Sequence, residues 1–153
     1  MRRTTLATLT ALILLLGLAV TPVSAATGVF RLTLTGVQEP TPTCAPPDLC
    51  GDPDASGGAI VIVNPVRDTV CFLSRWAGID GTVVAAHIHV APVGEPGPVV
   101  VPLFAGSFDG SDMTRGCVSA NGLADDIIAN PSNYYINIHS SVYPAGAIRA
   151  QLG

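Results

Sequence analysis

Lysine is absent from this 153-residue chain, and only 12% of its residues are charged. All seven basic side chains are arginine, and two of them, Arg2 and Arg3, stand at the amino terminus. Beyond residue 25, five arginines face 11 acidic residues, a formal charge of −6. A chain with that balance and no basic cluster cannot track a phosphate backbone or an anionic bilayer, so nucleic acid is excluded as a partner. There is also no G-x-S-x-G elbow, no C-x-x-C pair and no repeat of fixed period. These absences argue against a serine hydrolase, a zinc ribbon and a solenoid. Ser140 and Ser141 adjoin His139 but belong to no recognisable triad, and the adjacent Asp125 and Asp126 diverge on a helix instead of pairing. Both acids are expected to solvate the start of that helix, and no enzyme activity is expected.

What is present begins with an export signal. Met1-Arg2-Arg3 is a positive head, Leu6 to Val20 is apolar, and Val23-Ser24-Ala25 offers the small residues a signal peptidase reads. Residues 1–25 are therefore expected to be a signal peptide and 26–153 a single domain, secreted to the periplasm or medium. Thr4 to Val20 approaches the length of a short membrane span, but Pro22 and the cleavage site favour removal, leaving no membrane anchor. Thr4-Thr5-Leu6 after the arginine pair is a weak match to twin-arginine export, so general secretion is preferred.

In an oxidising compartment four cysteines argue for two bridges. Cys44 and Cys50 flank a turn-rich Ala45-Pro46-Pro47-Asp48-Leu49, which leaves Cys71 to pair with Cys117. The same Pro-rich excursion ends in Asp52-Pro53-Asp54-Ala55-Ser56-Gly57, whose oxygens are spaced as in a calcium loop. The twelfth position is Val63 in place of the closing Glu, so turn formation is the preferred reading.

Short β-rich runs separated by Gly, Pro, Asn and Asp clusters indicate an all-β fold. Phe30, Leu32 and Leu34 alternate with Arg31, Thr33 and Thr35, which gives the first strand one wet face. Ala59 to Val63 is apolar on both faces and is expected to be a central strand. Further strands are expected at Thr69 to Trp76, Val83 to Val90, Val99 to Phe104, Met113 to Ser119, Tyr134 to His139 and Ala147 to Leu152, with one short helix at Leu123 to Ala129 before Asn130-Pro131. About eight strands suit two packed sheets.

The chemistry lies in two of these strands. In Ala86-His87-Ile88-His89-Val90 the two imidazoles share one face, opposite Ala86, Ile88 and Val90. In Tyr134 to His139 the same period places Tyr135, Asn137 and His139 on one face. All three histidines of the protein thus lie on polar strand faces, and they converge if the two strands are neighbours.

Ala86-His87-Ile88-His89, followed by Gly94, Gly97-Pro98-Val99 and Leu103, resembles the central motif of the CHRD domain, named from chordin and also found in bacterial exported proteins. Tyr135-Ile136-Asn137-Ile138-His139-Ser140, with Pro144, Gly146 and Ile148-Arg149-Ala150-Gln151-Leu152, is similar to that family's closing motif, and Leu34-Thr35-Gly36-Val37-Gln38-Glu39-Pro40 to its opening. Ala91 stands where Gly is common, Ala147 where Glu is common, and Ala150 where Gly is common. The resemblance implies an immunoglobulin-like or superoxide-dismutase-like β-sandwich with no established catalytic role. The preferred function is accordingly a non-enzymatic exported module, structural or binding, without a cofactor and with an unknown protein or glycan partner. The alternative is a mononuclear copper or zinc site at His87, His89 and His139, since imidazole suits both ions. The His-x-His pair is similar in local pattern to copper ligands of copper/zinc superoxide dismutases, but three histidines are too few for that two-metal centre.

Overall fold

The computed structural model describes residues 26–40 and 51–153. The expected signal segment and the expected Cys44–Cys50 bridge lie outside the described residues. Eight strands form: β1 (Gly28–Thr35), β2 (Ser56–Asn64), β3 (Thr69–Ala77), β4 (Val83–Val90), β5 (Val99–Ala105), β6 (Met113–Ser119), β7 (Tyr134–Ser140) and β8 (Ile148–Gln151). Among the described residues one α-helix, α1 (Ala124–Ala129), accompanies them, with 3-10 turns at Gly36–Gln38 and Pro131–Asn133. The all-β class and its short helix are as the alternation of apolar residues indicates.

Every strand pair is antiparallel, and the eight strands make one continuous sheet in the order β5-β4-β7-β8-β1-β2-β3-β6. Two separate sheets are the simplest solution for two apolar faces, but here the halves stay joined at β8 and β1, which share one register pair, Thr35 with Arg149. The sheet folds at that narrow junction until its two ends approach each other. Asn121, just after β6, donates its side-chain amide to the Val100 carbonyl of β5 at 2.8 Å, tying the ends. The result is a nearly closed sandwich.

Its interior is lined by the inward half of each strand: Leu34, Val61, Val70, Ala86, Ile88, Val101, Ile136 and Ile138 are all fully buried. Phe72 and Trp76 of β3 reach Phe104 of β5 across the core, with ring centroids 5.9 and 6.0 Å apart. Such contacts between half-sheets supply the apolar burial that orders the fold. β2 is flanked by β1 and β3 as expected, yet only Ala59, Val61 and Val63 enter the core. Ile62, on the other apolar face, is 38% exposed. An antiparallel sheet can leave one face to water even where that face is apolar.

Asp126 is exposed in the first turn of α1, as expected, whereas Asp52, expected only to form a turn, is buried. The Asp126 carboxylate accepts hydrogen bonds from the Tyr134 hydroxyl and from Asn130 Nδ2, and these hold its pKa below the usual carboxylate range. It joins α1 to the start of β7. Asp52 is fully buried, and its Oδ2 accepts the Asp80 backbone N–H at 2.7 Å. This ties the end of the Pro-rich excursion to the β3–β4 connection.

The Cys71–Cys117 bridge is formed, between directly paired positions of β3 and β6. Both residues point outward, because Val70 and Phe72 beside Cys71 face the core and Val118 beside Cys117 packs against it. Among the described residues no helix is long and apolar enough to cross a membrane.

Candidate functional site

β4 and β7 are immediate neighbours, so the condition for convergence of the histidines is met. The register sets His87 opposite Asn137, His89 opposite Tyr135 and His139 opposite Ala85. Ala86, Ile88, Ile136 and Ile138 fill the core, which forces the alternate residues of both strands onto the outer face. There one ring nitrogen from each of His87, His89 and His139 lies within 4.8 Å of the others. For comparison, four ligands at zinc–nitrogen distances stand about 3.3 Å apart around a tetrahedral ion, so the cluster needs only small side-chain shifts to close on one.

The outer face is not open to bulk water here. Residues 91–98, which connect β4 to β5, fold over it and are fastened from β8. Arg149 donates to the carbonyls of Glu95 at 2.8 Å and Pro92 at 3.0 Å, while Gln151 donates to the Ala91 carbonyl at 2.8 Å. The fastened loop brings the Gly97 carbonyl to 2.8 Å from His89 Nδ1, which donates to it. On the other side the Pro144 carbonyl takes the Nδ1 proton of His139 at 3.0 Å. Both rings are thereby held in the tautomer whose Nε2 carries a bare lone pair.

Those lone pairs meet different fates. His139 Nε2 lies 3.0 Å from His87 Nδ1, a hydrogen bond between the two rings when His87 carries the proton. His89 Nε2 is buried beside the Asn137 side chain but makes no well-formed hydrogen bond with it or with any other described residue. A buried acceptor left unpaired is uncommon and points to a missing group.

Burial is the largest influence on all three imidazoles and lowers their pKa values. Neighbouring His89 lowers His87 further, and Arg149 does the same to His89. His139 is pushed down to about 4, with the charge of His87 adding to the effect of burial. The cluster is thus neutral at physiological pH, the form that ligates a metal.

Around it lies a second group of buried side chains. The Tyr135 ring stacks on His89 with centroids 4.8 Å apart and an interplanar angle of 11°, and the Tyr135 hydroxyl accepts the Gly97 N–H at 3.2 Å. Tyr135, placed on the same face by strand alternation, thus packs directly on one of the rings. Asn137, from that same face, lies beside both His89 and Glu39. Glu39 was not singled out as a site residue by the sequence. It is buried, and burial pushes its carboxyl up to about 7 against the attraction of Arg149.

A model of the CHRD domain matches residues 30–152. The chain belongs to the CHRD domain family. The match covers both histidine strands, the Gly97 loop and Arg149, so the whole cluster lies inside the CHRD domain. Neither characterised proteins nor solved structures yield a match.

Proposed function

We propose that this CHRD domain is an exported, non-enzymatic binding module that holds a single copper or zinc ion through His87, His89 and His139. The observation that carries the reading is the convergence of three neutral imidazoles in which the tautomers of His89 and His139 are set by backbone carbonyls and His89 Nε2 is left bare. Ring nitrogens oriented by carbonyl acceptors are the usual outer partners of metal-bound histidine. Copper(II) is expected to bind more tightly than zinc, following the general order of divalent affinities. Export is supported by the amino-terminal sequence and by the Cys71–Cys117 bridge.

A metal-free hydrogen-bonded cluster is the second reading, and the 3.0 Å contact between His87 and His139 favours it. Calorimetric titration of the secreted protein with copper(II) and with zinc separates the two. One ion bound per chain, with binding abolished in His87→Ala and in His139→Ala, is the expected result. Absence of stoichiometric heat with either ion leaves the hydrogen-bonded cluster as the role of these residues.

A further inference from the structure

On the half of the sandwich remote from the histidines, the outer face of β1-β2-β3-β6 carries a pattern that the metal site does not use. Register pairs align Arg31, Ile60, Leu73 and Arg115 in one row across the four strands. The next row is Val29, Ile62, Cys71 and Cys117, and on the other side Thr33, Gly58, Arg75 and Met113. Val29, Ile62 and Met113 are 54%, 38% and 39% exposed. Gly58, lacking a side chain, opens a groove beside Ile60 and Leu73 that is bordered by Arg31 and Arg75.

Charge makes the pattern unusual. This face gathers three of the five arginines beyond residue 25 in a chain of net acidic charge. Among the described residues, the side chains of Arg31, Arg75 and Arg115 have no hydrogen-bond or ion-pair partner. Arg75 and Arg115 sit on adjacent strands in diagonal positions, about 7 Å apart, where like charges repel. Arg31 and Arg115 stand about 14 Å apart, at the two ends of the central row. No acid among the described residues relieves that repulsion.

We propose that this face docks an acidic protein segment whose aliphatic side chains lie along Ile60, Ile62 and Leu73 while its carboxylates meet Arg31, Arg75 and Arg115. The guanidinium fork suits bidentate carboxylate pairing, and the exposed aliphatic strip supplies apolar contact between the charged positions. A second copy of this chain fits poorly, since a two-fold pairing of the face sets arginines against arginines. A glycan fits poorly as well, because the three rows contain no aromatic ring for a sugar to stack upon and Thr33 is their one hydroxyl.

The test uses the secreted protein and a fluorescent peptide of about seven residues that alternates glutamate with valine and leucine, matching the period of an extended chain. A heparin oligosaccharide, vesicles rich in phosphatidylglycerol and the glutamine version of the peptide serve as the other arms. The acidic peptide should bind saturably and more weakly as salt rises, with amide shifts confined to β1, β2, β3 and β6. An Arg31→Glu/Arg115→Glu variant with an unchanged circular dichroism spectrum should lose about tenfold or more in affinity, as charge pairing across an interface implies. Arg67→Glu, in the β2–β3 turn and off this face, should leave binding intact. The proposal is overturned by no saturable binding of the acidic peptide, by equal binding of the glutamine peptide, or by equal losses in the Arg67 and double variants. Binding of the oligosaccharide or the vesicles in place of the peptide overturns it too.

Discussion

The Arg149 guanidinium carbon lies 3.3 Å from the centroid of the Tyr135 ring, and Tyr135 in turn stacks on His89. Arg149 is only 1% exposed, yet its bonded acceptors are the carbonyls of Pro92 and Glu95 and the Gln151 side chain, with no carboxylate among them. It therefore acts as a clamp that holds residues 91–98 over the histidines. Arg149→Met keeps the bulk and removes the clamp. It should destabilise the fold by about 2–4 kcal/mol through lost charge-assisted hydrogen bonds and the cation–π contact. Urea unfolding measures this, and hydrogen exchange should quicken first in residues 91–98. An unchanged midpoint would mean that the loop holds itself in place.

Alternation along β4 and β7 was enough to place His87, His89 and His139 on one outer face, because period two is a local property of a strand. Their convergence needed only that the two strands be neighbours. What the sequence could not show is the role of Gly97 and Pro144. They act through backbone carbonyls, and a carbonyl belongs to every residue, so no side-chain pattern betrays which one will be aimed at a ring. Glu39 escaped for a related reason: a single acid after a 3-10 turn reads as surface until β8 and β1 are seen to meet beside it. The outward position of Ile60 and Ile62 was hidden because an all-apolar run carries no alternation to tell its faces apart.

Glu39 gives a pH prediction whose sign is opposite to that of the histidines. Its folded pKa of about 7 lies above the ordinary carboxyl value of 4.5, so its stabilising contribution is complete below pH 4.5 and is lost as pH rises through 7. The shift corresponds to about 3 kcal/mol. The lowered pKa values of His87, His89 and His139 work the other way, their contribution being complete above about pH 6.5 and lost as pH falls. The wild-type profile therefore blends two trends. Glu39→Gln isolates one of them: its stability relative to wild type should increase by up to about 3 kcal/mol between pH 4.5 and 7.5. A difference that stays constant across this range in paired thermal melts would show that Glu39 ionises freely.

The Cys71–Cys117 bridge joins positions 46 residues apart. Closing a loop of that length in the unfolded chain is worth about 4 kcal/mol by chain entropy, and measured values often fall below such figures. Cys71→Ala/Cys117→Ala should remain folded but unfold at lower denaturant, with a loss of about 2–4 kcal/mol. Because the bridge lies on the half-sheet away from the histidines, ion binding by the variant should equal that of wild type. A loss of less than about 1 kcal/mol would assign the hold on β6 to the β3–β6 ladder alone.

Gly97 tests the link from loop to metal without touching a ligand. A Cβ added there would lie 2.0 Å from the Val90 carbonyl oxygen and 2.7 Å from its carbon, both backbone atoms at the end of β4 that have little freedom to retreat. Gly97→Ala must therefore push the loop outward. The shift withdraws the carbonyl that accepts the His89 Nδ1 proton and the N–H that reaches the Tyr135 hydroxyl. His89 then loses the acceptor that fixes its tautomer, while His87 and His139 keep their own contacts. Loss of such an outer partner lowers metal affinity by about 10–100-fold in other sites. The same decrease is expected for copper and zinc binding to Gly97→Ala, measured by competition against a chelator of known affinity. Because the core residues beneath are untouched, the far-ultraviolet spectrum and the cooperativity of unfolding should be retained. Wild-type affinity in a variant whose loop has demonstrably moved would show that the Gly97 carbonyl does not orient His89, and the ordering of that ring would then rest on its stacking with Tyr135.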